Sequence, residues 1–314
     1  MKAFFKSSDL GDLKGGVASF FHTPLKLLLS SLALCLSLSG AALAQSAYPT
    51  KPVRILVPFL AGGPVDTTAR VIQQALSRAL GQPVIVENKP GADGAIAAQT
   101  VMSAAPDGYT LFFGGSSTMV SVPVLRKNPP FDPVADFTPI SLIGRYAFCM
   151  FVHPGVPAKT VAEFVDYARA NPDKLNYATS NLTEFMFAAQ LMKSTGISMV
   201  RVPYKGAAQA IPDLIAGRVQ LDFVPISAGL AHVKDGRLRI LATVLPKRVT
   251  VAPDVPTMAE AGMPGVTVSP WQGIFGPAKL PKEIAERLSR ELNLILQSAE
   301  VRAQYDKQGF QPEW

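Results

Sequence analysis

The sequence predicts an α/β fold with two similar lobes. Short apolar runs of strand composition alternate with longer segments in which apolar residues recur at helical spacing. This alternation is typical of βαβ units with parallel strands. The βαβ pattern occurs twice along the chain, so two sheets are expected rather than one. Of the 314 residues, 48% are hydrophobic and 17% charged, which is ordinary for a globular protein.

In the first half of the chain, buried strands are predicted at 53–57, 84–86 and 109–113. A helix is predicted between the first two of these strands, over 65–80, where apolar residues follow a helical spacing that ends at Gly81. An alanine-rich helix is predicted from about 92 to 104. These elements form the first βαβ run.

The second half repeats the alternation. The capping box Thr160-Val161-Ala162-Glu163 predicts a helix start, and Asn171-Pro172 predicts its end. Pro281 opens a long amphipathic helix with Ile284, Leu288, Leu292 and Ile295 facing inward. Between these helices the predicted strands are 175–178, 199–202, 221–224 and 238–244, and the predicted helices are 183–196 and 207–217.

Residues 1–44 are predicted to be a secretory signal peptide that is cleaved after Ala44. Lysines precede the apolar run 27–38, and Ala42-Leu43-Ala44 supplies small residues at positions −3 and −1 of the expected cleavage site. A permanent membrane anchor is the alternative, because 27–44 carries no charge. The signal-peptide and membrane-anchor interpretations both concern residues 1–44 only.

Charge and cysteine content narrow the class of protein. The formal net charge is +7, but the basic residues are dispersed, so no nucleic-acid arm or polybasic membrane tether is predicted. Cys35 falls in the leader, and Cys149 in an apolar run is the remaining cysteine. A lone thiol forms no internal disulfide, and in such a run it is expected to be buried and inert.

No pattern typical of catalysis, of a metal site or of a cofactor site occurs. Of the three histidines, His22 lies in the leader, and His153 and His232 lie in separate segments. HExxH, CxxC and Ser-His-Asp patterns are absent from the sequence, and Gly114-Gly115-Ser116-Ser117-Thr118 is not a nucleophile elbow. The sequence therefore predicts a protein that is not an enzyme and needs neither metal nor cofactor.

Residues 58–70, PFLAGGPVDTTAR, are the clearest candidate for a binding loop. Ligands in open α/β sheets bind at the carboxyl ends of strands. Gly62 and Gly63 let backbone N–H groups approach a ligand, and the helix that follows directs its positive end to the same place. Asp66 is expected either to cap that helix or to hold a cationic group. The loop lacks the lysine of a phosphate loop and the spacing of a dinucleotide fingerprint, so phosphate is not favoured.

Several segments in one order resemble the Bug family, the exported substrate-binding proteins associated with tripartite tricarboxylate transporters. They are YPTKPVRILVPFLAGGPVDTTAR, GQPVIVENKPGADGAIAAQTV, APDGYTLFFGG, NPDKLNYATS, VPYKGAAQAIPDLIAGRVQLDF and DVPTMAEAGMPGV. The resemblance covers nearly all of residues 48–312. It implies a two-lobed, hinged periplasmic binding protein (type II, Venus flytrap) with parallel-rich sheets, which holds a small carboxylate at helix N-termini.

The resemblance also implies an organisation into lobes. Lobe one takes residues 45–145 and returns at 250–314, and lobe two takes 146–249. The chain is expected to cross between the lobes near 142–146 and again between 245 and 268. The chain stops at Trp314, where members of the family usually continue into another helix, so a short C-terminus is expected.

The second binding loop departs from the family pattern. Leu182 stands where glycine is common, and Met186 stands where a histidine often falls. Glu184 either faces the ligand, where it would repel a carboxylate, or faces solvent as a helix-start residue. Lys205 either supplies a cation to the ligand or is solvated, and Trp271 either lines the hinge or packs in the core. The candidate ligand-binding residues are Phe59, Ala61, Gly62, Gly63, Val65, Asp66, Ser116, Thr179, Ser180, Asn181, Thr183, Tyr204 and Lys205.

The function implied is that of a monomeric periplasmic solute-binding protein. It would capture a small aliphatic or aromatic carboxylate and present it to the permease of a tripartite tricarboxylate-type transporter or to a sensor. No nucleic-acid partner is expected. An exported ligand-sensing module or enzyme on the same two-lobed fold is the alternative.

Overall fold

The structure, a computed structural model, describes residues 48–266 and 269–314. The predicted signal peptide lies outside the described residues. The first half of the chain contains these elements in order: β1 (Val53–Val57), α1 (Pro64–Leu80), β2 (Val84–Asn88), a 3₁₀ turn (Ala92–Gly94), α2 (Ala95–Met102), β3 (Thr110–Gly115), a π-helical turn (Ser117–Ser121), α3 (Val122–Leu125) and β4 (Phe137–Tyr146).

The second half continues the alternation of strands and helices. Its elements are β5 (Phe148–Val152), α4 (Val161–Ala170), β6 (Asn176–Thr179), α5 (Leu182–Thr195), β7 (Val200–Pro203), α6 (Ala207–Ile215), β8 (Leu221–Pro225), α7 (Ile226–Lys234), β9 (Arg239–Thr243), β10 (Trp271–Pro277), α8 (Lys282–Gln297), α9 (Ala299–Lys307) and β11 (Phe310–Pro312).

Within the described ranges the strands form two sheets, as predicted. The first has six strands in the order β11-β4-β10-β3-β1-β2, and the second has five in the order β7-β6-β8-β5-β9. Pairing is parallel where βαβ units connect the strands, between β1 and both β2 and β3, and between β6 and both β7 and β8.

The expectation of parallel-rich sheets needs correction, because both sheets are mixed. β10 pairs antiparallel with β3 and β4, β11 with β4, and β5 with β8 and β9. β5 and β10 enter their sheets directly from the other sheet. They therefore lack the helical crossover that returns a strand in the parallel direction.

Local sequence signals explain where the predicted helices begin and end. Pro64 occupies the first turn of α1, and Gly81 closes this helix in the left-handed conformation with φ 66°. Thr160 caps α4 by accepting a hydrogen bond from the Glu163 N–H at 3.1 Å. On α8, Leu288 and Leu292 are buried as the amphipathic pattern predicts. The interpretation of these patterns from sequence is confirmed.

Each sheet has its own apolar core. Leu56, Phe112 and residues of α2 pack together under the first sheet. In the second, Phe151 and Val224 pack against α6. Cys149 belongs to this second core, and burial raises the pKa of its thiol to about 12. These surroundings agree with the expectation from sequence that the thiol is buried and inert.

The chain passes between the sheets at β4–β5 and at β9–β10. Ala147 alone separates β4 from β5. The ring centroid of Tyr146 lies 4.8 Å from that of Phe310 and 6.1 Å from that of Phe148, so aromatic side chains surround the first passage. Trp271 begins β10, is half-buried and packs beside Phe275. The predicted lobe limits stay predictions, because strand membership does not define which residues move together.

Within residues 48–266 and 269–314, no helix combines the length and the apolar character needed to cross a bilayer.

Candidate functional site

A small inner pocket lies where loops of the two sheets face each other, with a volume of about 30 Å³. Four helices begin at this pocket, which is lined by the N-terminal cap of each: α1 (Gly63), α5 (Asn181), α6 (Gly206) and α7 (Pro225). The pocket is lined by Phe59, Leu60, Gly63, Pro64, Val65, Phe148, Ser180, Asn181, Glu184, Gly206, Ala207, Ala208 and Pro225. Most of these residues are apolar, so polarity comes mainly from backbone groups and from the start of α5.

The N-termini of α1 and α6 offer backbone donors to the pocket. The first N–H groups of a helix have no intrahelical acceptor, and each helix N-terminus behaves like about half a positive charge. Proline at the first position of α1 leaves Val65 as its first N–H donor. Ala207 and Ala208 provide the equivalent positions of α6. Two converging N-termini favour an anion at this pocket, whose described lining residues include no arginine.

Asp66 holds the loop that precedes α1. Its carboxylate accepts hydrogen bonds from the Gly62 N–H, from Arg70 Nε and from Asn88 Nδ2, each at 2.9 Å. Burial by itself would raise the pKa of Asp66, but these hydrogen bonds outweigh it and hold the pKa below its ordinary value. Asp66 therefore holds Gly62 and Gly63 in position from outside the pocket and is not part of its lining.

The start of α5 differs electrostatically from the N-termini of α1 and α6. The Glu184 carboxylate accepts hydrogen bonds from the Ser180 N–H, from Ser180 Oγ at 2.7 Å and from Asn181 Nδ2 at 2.9 Å. Asn181 in turn accepts from the Glu184 N–H at 3.0 Å. Because Glu184 is 2% exposed and lines the pocket, its interpretation as a solvent-facing residue is wrong. The chain's own carboxylate thus occupies donors that a ligand carboxylate would use.

Glu184 forms an electrostatic pair with Asp222 on β8. Burial raises the pKa of Glu184 to about 7, although its hydrogen bonds act in the opposite direction. Burial, and then repulsion from Glu184, raises the pKa of Asp222 well above its ordinary value. Neither carboxyl oxygen of Asp222 has a hydrogen-bond partner within the described parts of the chain. Asp222 therefore favours its protonated form, and Glu184 gains a proton as the pH falls below about 7.

A second, polar cavity of about 250 Å³ adjoins the inner pocket and shares Phe59 and Ser180 with it. Arg201 on β7 lies in its wall, where Arg201 Nε donates to Thr179 Oγ1 at 2.8 Å. The guanidinium carbon of Arg201 also lies 4.8 Å from the ring centroid of Phe185. The polar cavity is lined by Pro58, Phe59, Gly91, Ala92, Asp93, Gly94, Thr179, Ser180, Arg201, Pro203, Tyr204 and Lys205.

The family profile described as "Tripartite tricarboxylate transporter family receptor" matches residues 68–313, which is well over half of the chain. The chain belongs to this receptor family. The receptor is 33% identical to BugT of Bordetella pertussis over 290 residues, which cover 91% of this chain and 89% of BugT. The resemblance to the Bug family is therefore confirmed.

Solved structures agree with this assignment. A protein of R. palustris, solved with adipate, matches the receptor with a TM-score of 0.82 and 33% identity over 84% of this chain and 89% of that one. MatC from Rhodopseudomonas palustris, with bound malate, matches with a TM-score of 0.80 and 32% identity over 84% and 90% of the two chains. The predicted two-lobed fold of a periplasmic binding protein is confirmed. The family is one of periplasmic substrate-binding receptors.

The receptor brings eight of the predicted site residues to the two cavities. Phe59 and Ser180 line both. The Tyr204 hydroxyl donates to Asp213 Oδ2 at 2.7 Å, so Tyr204 presents its ring rather than its hydroxyl to the polar cavity. The remaining members of this set are Gly63, Val65 and Asn181 at the inner pocket and Thr179 and Lys205 at the polar cavity.

Five predicted site residues lie outside both cavities. Ala61 and Gly62 are exposed at the turn, while Asp66 supports the turn from behind. Ser116 precedes the π-helical turn after β3. Thr183 is buried in the first turn of α5.

The sequence interpretation missed two features of the receptor's site. The strand–glycine–helix pattern of the first loop recurs at Lys205-Gly206-Ala207, and this repetition was a usable signal for a second helix N-terminus. Arg201 gave no signal, because an arginine in a predicted strand is commonly solvated. Residues 92–94 also differ from the predicted helix: Ala92 and Asp93 have positive φ of 50° and 56°, and the regular helix begins only at Ala95.

Proposed function

We propose that this protein captures a small organic carboxylate between its two lobes in the periplasm and presents it to the permease of a tripartite tricarboxylate-type transporter. The observation that carries this proposal is the meeting of the α1 and α6 N-termini, from opposite sheets, at one largely apolar pocket. A carboxylate is held there by backbone N–H groups, and its hydrocarbon part contacts the apolar walls.

The ligands of two relatives support this ligand class. Adipate and malate are present in structures that match this chain at 33% and 32% identity. Both are small organic carboxylates. The predicted site residues at the two cavities are the ones we propose contact the ligand.

Capture requires the lobes to move. A pocket of about 30 Å³ has room for one or two waters, not for a molecule of several carbon atoms. We take residues 45–145 with 250–314 as one lobe and 146–249 as the other, and the passages at β4–β5 and β9–β10 as the hinge. Opening about this hinge admits the ligand, and closure surrounds it.

The remaining parts of the proposal concern processing and partners. The leader is removed after Ala44, the mature protein acts as a monomer, and it releases its ligand without chemical change. Neither a histidine nor a cysteine is among the described residues that line the two cavities. This supports a binding role over an enzymatic one.

Calorimetric titration of the mature protein with a panel of carboxylates tests the proposal. The panel contains malate, adipate, citrate and benzoate, and the uncharged diamide of adipate is the control. We expect saturable binding of at least one acid and none of the diamide. Chromatography after incubation should recover the acid unchanged. Consumption of the acid would favour the enzyme alternative, and absence of binding across the panel would contradict the proposed ligand class.

A further inference from the structure

Among the described residues that line the polar cavity, Arg201 is the cation whose geometry is fixed by its neighbours. Its Nε donates to the hydroxyl of Thr179, which is 1% exposed, and its guanidinium carbon lies 4.8 Å from the ring centroid of Phe185. These contacts hold the guanidinium at one end and leave its two terminal nitrogens without an acceptor within residues 48–266 and 269–314. A planar fork held in this way matches the geometry of a carboxylate.

The surrounding charges favour an anion at this position. Lys205 lines the same cavity, and within the described residues its side chain has no ion-pair partner. Asp93 also lines the cavity, but it forms an ion pair with Arg126 at 3.3 Å. The cavity is therefore lined by two cationic side chains, Arg201 and Lys205, and by one carboxylate, Asp93, which already has an ion-pair partner.

The two cavities are arranged to hold the two ends of one molecule. They share Phe59 and Ser180, so a short chain can extend from the inner pocket into the polar cavity. The helix N-termini lie at the inner end, and Arg201 lies at the outer end. Glu184, in the inner wall, disfavours a second negative charge beside the first, so the second charge is better placed at Arg201.

We propose that Arg201 is a second anion-binding position, which makes the protein selective for ligands that carry an anionic group at each end. This rests on the proposed function, because it assumes that one carboxylate binds at the helix N-termini. The second group is a carboxylate or another planar or tetrahedral oxyanion of similar size. The hydrocarbon chain between the two groups passes Phe59.

Titration of Arg201→Gln with matched pairs of acids tests this inference. Each pair consists of a linear dicarboxylate and the monocarboxylate of equal carbon number, such as adipate and hexanoate. We expect the variant to lose about tenfold or more in affinity for the dicarboxylate, about 1.4 kcal/mol, and about twofold or less for the monocarboxylate. Arg201→Lys should recover part of the dicarboxylate affinity, because it restores the charge without the fork.

Two controls separate this role from a general effect of charge or folding. Arg169→Gln removes an exposed arginine of α4 that pairs with Asp166, so it should leave both affinities unchanged. The melting temperature of ligand-free Arg201→Gln should stay close to that of the unaltered protein. Asp93→Asn should keep or increase dicarboxylate affinity. A loss in this variant would indicate that the cavity binds a ligand ammonium group, which would overturn the inference.

The outcomes distinguish the two proposals. If the unaltered protein binds no carboxylate, the proposed function fails. If it binds carboxylates and Arg201→Gln weakens di- and monocarboxylates equally, or neither of them, only the role of Arg201 is refuted.

Discussion

Gly206 lies directly opposite Leu60 across the cleft: a Cβ atom on Gly206 would lie 3.5 Å from the Cβ of Leu60. Gly206 caps α6 on the second sheet, and Leu60 belongs to the loop after β1 on the first. Both residues line the inner pocket. The absence of a side chain at Gly206 therefore permits the close approach of the two loops.

Gly206→Val should weaken ligand binding by holding these loops apart. The φ of Gly206 is 171°, an extended conformation that valine adopts, so the backbone is not strained. The added methyl groups, however, would meet Leu60. Overpacking of this kind costs about 1–3 kcal/mol, which corresponds to a loss of affinity of about fivefold or more. Calorimetry should show the loss, and small-angle scattering should show less compaction on ligand addition.

Ala162→Val is the matched control, because Ala162 is exposed on α4 and lines neither cavity. Affinity of Gly206→Val equal to that of the control would mean that the loops do not approach in the bound state.

Gly63→Val tests the first helix N-terminus. Gly63 has φ −79° and ψ 168°, and a Cβ atom there would lie 3.4 Å from the Leu60 carbonyl oxygen, so the fold should tolerate the change. The valine side chain would still limit access to the α1 N–H groups. We expect a loss of about tenfold or more in affinity, about 1.4 kcal/mol. His153→Ala should bind normally, since His153 lines neither cavity. If Gly63→Val bound the ligand normally and His153→Ala did not, the binding site would lie elsewhere.

The first binding loop was predictable because its signals are local. A buried strand, two glycines, a proline and a helical pattern follow one another within residues 53–80, and each constrains the backbone on its own. The same reasoning applies to Gly206 and α6. The fold class was predictable for a similar reason, since strand and helix periodicities are properties of short segments.

The position of Arg201 was not predictable from local signals. Arg201 pairs with Tyr177 in the β6–β7 register, and that register brings it beside Thr179 at the cavity. Strand register depends on contacts between segments that are distant in sequence. The antiparallel pairing of β4 with β10 was not predicted for the same reason. Trp271 pairs with Arg145, and more than a hundred residues separate the two in sequence.

Asp66→Asn should lower stability and loosen the first loop. The change removes the ion pair with Arg70 and places an amide NH2 against either the Gly62 N–H or Asn88 Nδ2, which are themselves donors. Disrupting such a partly buried network costs about 1–3 kcal/mol of unfolding free energy. Because the pKa of Asp66 lies below its ordinary value of 3.8, its ionised form stabilises the native state above that value. This stabilisation is lost as the pH falls through the native pKa.

Chemical denaturation between about pH 3 and pH 7 measures both effects. The variant should be less stable at neutral pH and should lose less stability in acid. Asp166→Asn, at an exposed carboxylate on α4, is the control and should change neither quantity appreciably. An Asp66 variant as stable as this control would show that the network does not hold the loop.

Glu184→Gln should change how both stability and ligand affinity depend on pH. In the native protein, burial raises the pKa of Glu184 from 4.5 to about 7, so the native state binds a proton that the unfolded chain releases. Its contribution to stability is fully present below about pH 4.5 and is lost as the pH rises through about 7. The pKa of Asp222 is raised by burial and by repulsion from Glu184, so Asp222 acts in the same direction. The unaltered protein should therefore lose stability from about pH 5 to about pH 8, and the variant should lose less.

The same proton should be linked to binding. An anionic ligand in the inner pocket favours protonated Glu184, so affinity should be higher at about pH 6 than at about pH 8, and titrations in buffers of different ionisation enthalpy should detect proton uptake. Glutamine imitates the protonated side chain, and Glu184→Gln should bind with nearly constant affinity over this range. Glu163→Gln is the matched control, because Glu163 occupies the same position in the capping box of α4 but is exposed. If Glu184→Gln keeps the pH dependence shown by the unaltered protein and by this control, the ligand does not bind next to Glu184.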